Sequence, residues 1–175
     1  GINLSKCDRG MSFEEDAFDP FSRENREVLS PDTIVSKYSI IDLVGQGGFG
    51  DVYKVRDIET DEVYALKTEY TAAPKKGLEA EEAILRLLNS DSFPRVYDSG
   101  ETETFRYCVI KLFGPSLGAF RRNCLLFLIR RETLIAISRE TLKLIAELHS
   151  LGIVHRDIKP SNFLLARSQE KPIRL

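Results

Sequence analysis

Gly45-Gln46-Gly47-Gly48-Phe49-Gly50-Asp51-Val52 is a stretch in which Gly45, Gly47 and Gly50 can bring backbone N–H donors against an anion with no side chains in the way. Tyr64-Ala65-Leu66-Lys67 follows, and much later comes Val154-His155-Arg156-Asp157-Ile158-Lys159-Pro160-Ser161-Asn162. A glycine-rich loop alone is a common accident. In this order, however, the three segments supply phosphate donors, a cation, a carboxylate with a second cation beside it, and an amide oxygen. That set suits moving a phosphoryl group from a nucleotide to a hydroxyl.

Lys67 sits in an apolar strand whose alternation points it to the face holding Ala65, and a lysine aimed inward is costly unless paired. Its expected use is to bind the α and β phosphates of ATP while a helix carboxylate holds the ammonium. Glu79, Glu81 and Glu82 compete for that place, with Glu81 favoured and Glu82 next. Asp157 and Asn162 share one loop, where the carboxylate can meet a substrate hydroxyl and the amide oxygen a magnesium ion. Lys159 can neutralise the moving γ-phosphate. Asp157 need not be a strong base, because a loose phosphoryl-transfer transition state asks mainly for orientation and late proton acceptance. Taken singly, an Asp and a Lys in a loop are ordinary surface residues. Phe49, at the tip of the glycine loop, could shield the phosphates from water.

The elements that must position these residues change character along the chain. Residues 1–33 lack periodicity and carry Glu14, Glu15, Asp16 and Asp19 among their acids, which predicts a solvated, disordered acidic extension. Strands are expected over 38–44, 52–57, 63–68, 95–98 and 105–112, and helices over 75–88 and 132–150, where the apolar spacing becomes helical. Asp51 to Val55 reads as a strand, which argues against a dinucleotide-binding fold, where the third glycine opens a helix. Five strands with one helix, a break at Gly114-Pro115, then helices, is an α+β arrangement of two lobes.

The chain has 25 basic and 27 acidic residues among 175, so its charge makes no case for nucleic acid or an anionic membrane as partner. Its longest apolar run, Cys124 to Ile129, is far short of the roughly 20 residues of a membrane span. Cys7, Cys108 and Cys124 show neither metal spacing nor an even count, which points to a reducing compartment, cytoplasm or nucleus.

From Tyr38 to Leu175 the chain resembles the eukaryotic protein kinases, and Lys159 in His155-Arg156-Asp157-Ile158-Lys159 marks the serine/threonine type. Phe113-Gly114-Pro115-Ser116-Leu117 and Asn162-Phe163-Leu164 are similar to the casein kinase 1 group. Within it, Tyr64-Ala65-Leu66-Lys67, Arg121-Arg122 and the segment from His155 to Phe163 most resemble the tau-tubulin kinase branch. The resemblance implies an N-lobe over 34–110, with a five-stranded antiparallel sheet and one helix, a hinge over 111–115, and the first, incomplete part of a helical C-lobe over 116–175. It implies ATP and Mg2+ as cofactors and a protein substrate with a Ser/Thr acceptor. It also implies an adenine pocket roofed by Val44, Val52 and Ala65 and floored by Leu164. Ile110 would be its gatekeeper, and the Lys111 carbonyl and Phe113 amide would meet the adenine edge. Lys111 departs from the acidic or neutral residue usual there.

Arg174-Leu175 matches the strand before an Asp-Phe-Gly motif that residues 1–175 do not include. These residues by themselves are therefore expected to have negligible activity. The competing expectation is a non-catalytic nucleotide-binding pseudokinase or scaffold.

Overall fold

The computed structural model describes residues 28–48, 50–71, 73, 77–88, 90–123, 130–166 and 173–175. Most of the expected acidic extension, Phe49 and the run from Cys124 to Ile129 lie outside them. Alternating β-branched and aromatic residues build a six-stranded antiparallel sheet from β1 (Ile34–Val35), β2 (Tyr38–Gln46), β3 (Asp51–Asp57), β4 (Val63–Tyr70), β5 (Val96–Glu101) and β6 (Phe105–Lys111). The spatial order is β1-β2-β3-β4-β6-β5, so the helix between β4 and β5 sends β5 to the edge beyond β6. All five expected strands are present. The sixth, β1, pairs Ile34 with Ser39 and Val35 with Tyr38 around a turn in which Ser36 takes φ 56°. Two residues are too few to show a period in sequence.

Register decides which residues share a face, because cross-strand partners point the same way. Val52 and Cys108 both pair with Lys67, and Lys54 and Ile110 both pair with Ala65, placing these residues on one face. The opposite face carries Tyr53, Val55, Leu66 and Val109, all fully buried, joined by Tyr38, Ile40, Phe105 and Tyr107 in one core. The sheet thus spends its large apolar side chains on one side and leaves the Lys67 side for the site.

Helix α1 (Leu78–Leu87) follows β4, and α2 (Leu117–Asn123) and α3 (Arg131–Ser150) follow β6. A second core joins Leu88 and Phe93 to Leu117, Leu144, Leu148, Phe163, Ile173 and Leu175. The short strands β7 (Leu164–Leu165) and β8 (Ile173–Arg174) close it. On α3, Leu144 and Leu148 are buried while Leu134, Ile135 and Leu142 are more than half exposed, so its apolar surface is covered at one end only. Among the described residues no helix is long and apolar enough to cross a membrane.

The connector after β6 is pinned to β7. Gly114 N–H donates to the Leu165 carbonyl at 2.8 Å, Leu165 N–H to the Pro115 carbonyl at 3.0 Å, and Leu117 N–H to the Phe163 carbonyl at 2.8 Å. A β-carbon at position 114 would stand 2.8 Å from the Leu165 carbonyl oxygen, which is why glycine is needed there.

The glycine loop contains two kinds of glycine. A β-carbon on Gly50 would fall 1.8 Å from the Thr68 carbonyl oxygen, whereas one on Gly45 meets nothing within 4 Å. Gly50→Ala is therefore expected to destabilise the fold by about 1–3 kcal/mol or more. Gly45→Ala should stay within about 0.5 kcal/mol. Chemical denaturation of both variants checks the contrast.

Candidate active site

Lys67 Nζ donates to Glu81 Oε2, joining the fifth residue of β4 to the first turn and a half of α1. Of the three competing glutamates, Glu81 alone makes this contact. Glu82 turns the other way, accepting from Arg86 Nε at 2.9 Å, Ser99 Oγ at 2.6 Å and Arg106 at 3.4 Å. Among the described residues Glu79 reaches only Arg106, at 4.0 Å. Helical geometry explains the split, since adjacent positions point about 100° apart and cannot serve the same partner.

Two contacts that the sequence did not reveal set where α1 lies. The Glu69 carboxylate, two residues beyond Lys67 on the same strand, accepts from Gly77 N–H at 2.6 Å and Leu78 N–H at 3.0 Å. Free N–H groups at a helix start need such partners, and a carboxylate there also meets the positive end of the helix dipole. Glu82 is the second anchor. Burial pushes its carboxyl up, but hydrogen bonds from Ser99, Arg86 and Arg106 outweigh this and hold it below the usual carboxylate range. The clue available in sequence was the pattern of acids on α1; their partners lie on distant strands.

The glycine loop closes through Gly47 N–H donating to the Gly50 carbonyl at 2.7 Å, and β-carbons on Gly45 and Gly48 would stand in open space. Neither of those two glycines is required by packing, so the loop keeps a bare backbone surface that fits an approaching phosphate. Val44 falls at a register shift between Leu43 and Gly45 and is 57% exposed, Val52 is half-buried and Ala65 is buried. Leu164, half-buried on β7, bridges to Ser116 beside the connector. Lys111 N–H donates to the Arg95 carbonyl, and its side chain is exposed. Among the described residues nothing bonds to the Phe113 amide, leaving that donor for a ligand.

Asp157, Lys159 and Asn162 meet in one loop. Lys159 Nζ lies 2.7 Å from Asp157 Oδ2, and Asn162 Nδ2 donates to the same oxygen at 3.1 Å and to the Asp157 carbonyl at 2.8 Å. The short 3-10 helix Pro160–Asn162 turns Asn162 back onto Asp157. Lys159, and then Asn162, hold the Asp157 carboxyl below its ordinary range, so it is a carboxylate near neutral pH. Asp157 N–H donates to His155 Nδ1 at 3.2 Å, which casts His155 as a support of the loop. Arg156 between them adopts φ 62°, a left-handed backbone that costs a non-glycine residue about 1–2 kcal/mol and recurs where function fixes geometry.

Magnesium suits this donor set in a limited way. Asn162 spends its amide nitrogen on Asp157, leaving the amide oxygen as a metal donor. Among the described residues no group of three or more His, Cys, Asp or Glu could cage a metal. Mg2+ often takes one or two protein oxygens and completes its shell with water and substrate phosphates, and the residues present fit that use.

A family model described as protein kinase domain matches residues 38–175. A Caenorhabditis elegans protein provisionally named a casein kinase I is 27% identical over 139 residues, 77% of this chain and 41% of that protein. The serine/threonine-protein kinase spe-6 of the same organism is 30% identical over 131 residues, 74% and 35% of the two chains. The Arabidopsis thaliana serine/threonine-protein kinase 1 is 32% identical over 148 residues, covering 80% of this chain and 18% of that one. The chain thus spans less than half the length of these curated relatives.

Three outcomes follow from the site's electrostatics. Lys67 and Glu81 are 36% and 44% exposed, so Lys67→Met should cost under about 1 kcal/mol of stability. Glu82→Ala, which leaves the half-buried Arg106 with only the more distant Glu79 carboxylate among the described residues, should cost about 2–3 kcal/mol in chemical denaturation. In an NMR titration, Lys159→Met should raise the Asp157 midpoint, since it removes the leading cause of its depression.

Proposed function

Because the chain belongs to the protein kinase domain family, we propose that it is the nucleotide-binding part of an ATP-dependent serine/threonine protein kinase of the casein kinase 1 group, most like its tau-tubulin kinase branch. The observation that carries the proposal is that one chain keeps Lys67 held by Glu81 and Asp157 held by Lys159 and Asn162. A pure scaffold gives no chemical reason to retain both arrangements. The casein kinase 1 assignment rests on Phe113-Gly114-Pro115-Ser116-Leu117 and Asn162-Phe163-Leu164, and on the similarity to a protein bearing that name.

The substrates are ATP and a Ser or Thr hydroxyl of a protein. Val44, Val52, Ala65 and Leu164 give the purine an apolar enclosure, and the Lys111 carbonyl and Phe113 amide take its edge. Lys67, kept in place by Glu81, meets the α and β phosphates, while the bare glycine loop covers them. The acceptor hydroxyl oxygen bonds to the γ-phosphorus as the bond from phosphorus to the β–γ bridging oxygen breaks. ADP leaves with that oxygen, and the hydroxyl proton passes late to the Asp157 carboxylate. A base held below the ordinary carboxylate range is adequate for late transfer and is always ready to accept at neutral pH. Lys159 offsets charge on the moving group. Mg2+, when bound through Asn162, supplies neutralisation of the phosphate oxygens.

Burial pushes the Cys108 thiol up to about 12 and keeps it protonated; the cytoplasm or nucleus is inferred from the cysteine pattern of the sequence alone. Residues 1–175 contain no Asp-Phe-Gly string, and we place transfer activity in a chain that includes one.

The test is transfer of radiolabelled γ-phosphate to an acidic Ser/Thr peptide, by residues 1–175 and by the full product of the gene. The full product should turn over and lose at least about a hundredfold in rate in Asp157→Asn. Residues 1–175 should show no measurable turnover. Undiminished rates in Asp157→Asn would refute the proposal, and Mg-ATP binding without turnover by the full product would support the non-catalytic reading.

A further inference from the structure

Asp51 is fully buried, and the chemistry described above makes no use of it. It is the first residue of β3, directly after Gly50, and lies across from Gln46 at the base of the glycine loop. Because its neighbour Val52 shares the Lys67 face, Asp51 faces the other way, toward the core that holds Tyr53 and Leu66. It points away from the nucleotide side. Burying a carboxyl in such a core is costly unless its oxygens are bonded, and an apolar side chain would fill the space better for stability alone.

The bonds of Asp51 run mainly to one strand. The Tyr70 hydroxyl donates to Asp51 Oδ2 at 3.1 Å, and the Tyr53 hydroxyl donates to the same oxygen at 3.4 Å. Asp51 N–H donates to Thr68 Oγ1 at 3.0 Å, and the Thr68 hydroxyl donates back to the Asp51 carbonyl at 3.2 Å. Regular pairing of β3 with β4 ends at Val52 and Lys67, so beyond that point side chains take over from the backbone ladder. The partners are themselves held. The Tyr70 ring meets that of Phe105 edge-on with centroids 6.5 Å apart, and the Tyr53 hydroxyl oxygen accepts from Leu29 N–H at 3.2 Å, which leaves its proton for Asp51.

Thr68 and Tyr70 sit one and three residues beyond Lys67 on β4. The exit of the glycine loop is therefore fastened to the strand that presents the lysine. Gly50 permits the approach, since a β-carbon there would fall 1.8 Å from the Thr68 carbonyl oxygen, and the loop's closing bond from Gly47 N–H ends on the carbonyl of that same glycine. Backbone N–H donors cannot follow a displaced phosphate as a long side chain can, so their grip depends on where the loop is held. We propose that Asp51, acting with Thr68 and Tyr70, is a positioning residue that sets the height of the glycine loop over Lys67 and with it the affinity for the nucleotide's phosphates. This deepens the kinase reading and rests on it. Loosening the pin should weaken a nucleotide and spare a nucleoside, which has no phosphates. A role confined to holding the fold together would give no such selectivity.

The experiment is calorimetric titration of Mg-ADP and of adenosine into the full product of the gene and its Tyr70→Phe, Thr68→Val and Asp51→Val variants. Tyr70→Phe keeps the ring against Phe105 and Thr68→Val keeps the side chain's shape, so the core stays filled. Each variant should raise the Kd for Mg-ADP at least about fivefold and change that for adenosine by less than about twofold. Combining Tyr70→Phe with Asp51→Val should add less than about twofold, because both remove the same bond. Equal losses for Mg-ADP and adenosine, or Mg-ADP affinity unchanged in all three variants, would overturn the proposal. An unaltered full product that binds no Mg-ADP would overturn the kinase reading itself, and this inference with it.

Discussion

A carboxylate as enclosed as that of Glu82 has to be paired, and its three partners come from two strands and its own helix. That requirement fixes the rotation of α1 against β5 and β6. Once it is fixed, the neighbouring residue Glu81 must point toward β4, where Lys67 stands. Glu69 fixes the other coordinate by holding the first N–H groups of the helix to the strand that carries Lys67. The Lys67–Glu81 contact is more exposed than the Glu82 anchor and contributes little to stability on its own. It follows from α1 being held elsewhere, and this leaves the lysine free to trade part of its pairing for phosphate oxygens.

The loop from His155 to Asn162 solves a related problem without burial. Its side chains are largely solvent-facing, so the precision of Asp157 comes from local closure: Lys159 and Asn162 on one oxygen, Asn162 again on the backbone carbonyl, and His155 under the amide. The positive φ of Arg156 is the strain that this closure imposes. The connector pinned to β7 then ties the sheet's last strand to the segment that follows the loop. Two separately held groups of charges are thereby linked through Gly114, Phe163 and Leu165.

The five longer strands and both major helices were legible in sequence because each repeats a hydrophobic period over enough residues to be read. Lys67 was legible as a cation that needed a partner, and the choice of Glu81 followed from helical spacing. Strand β1 was not, since two residues carry no period. The roles of Glu69 and Glu82 were hidden for a different reason. Their partners are Gly77 and Leu78 across a turn, and Ser99 and Arg106 on later strands, and such pairings depend on tertiary placement rather than local pattern. The distinction within the glycine loop was likewise invisible, because only the approach of Thr68 separates Gly50 from Gly45.

The central claim is that Lys67 and the Asp157–Asn162 loop act on one nucleotide. Binding Mn2+-ADP in place of Mg2+-ADP and recording NMR line broadening tests it most directly, because a paramagnetic ion broadens only nearby nuclei. A single bound Mn2+-ADP should broaden both the Lys67 side-chain methylene signals and the Asn162 side-chain amide signals, with the same concentration dependence. Broadening of one set without the other, or two different saturation curves, would contradict the account.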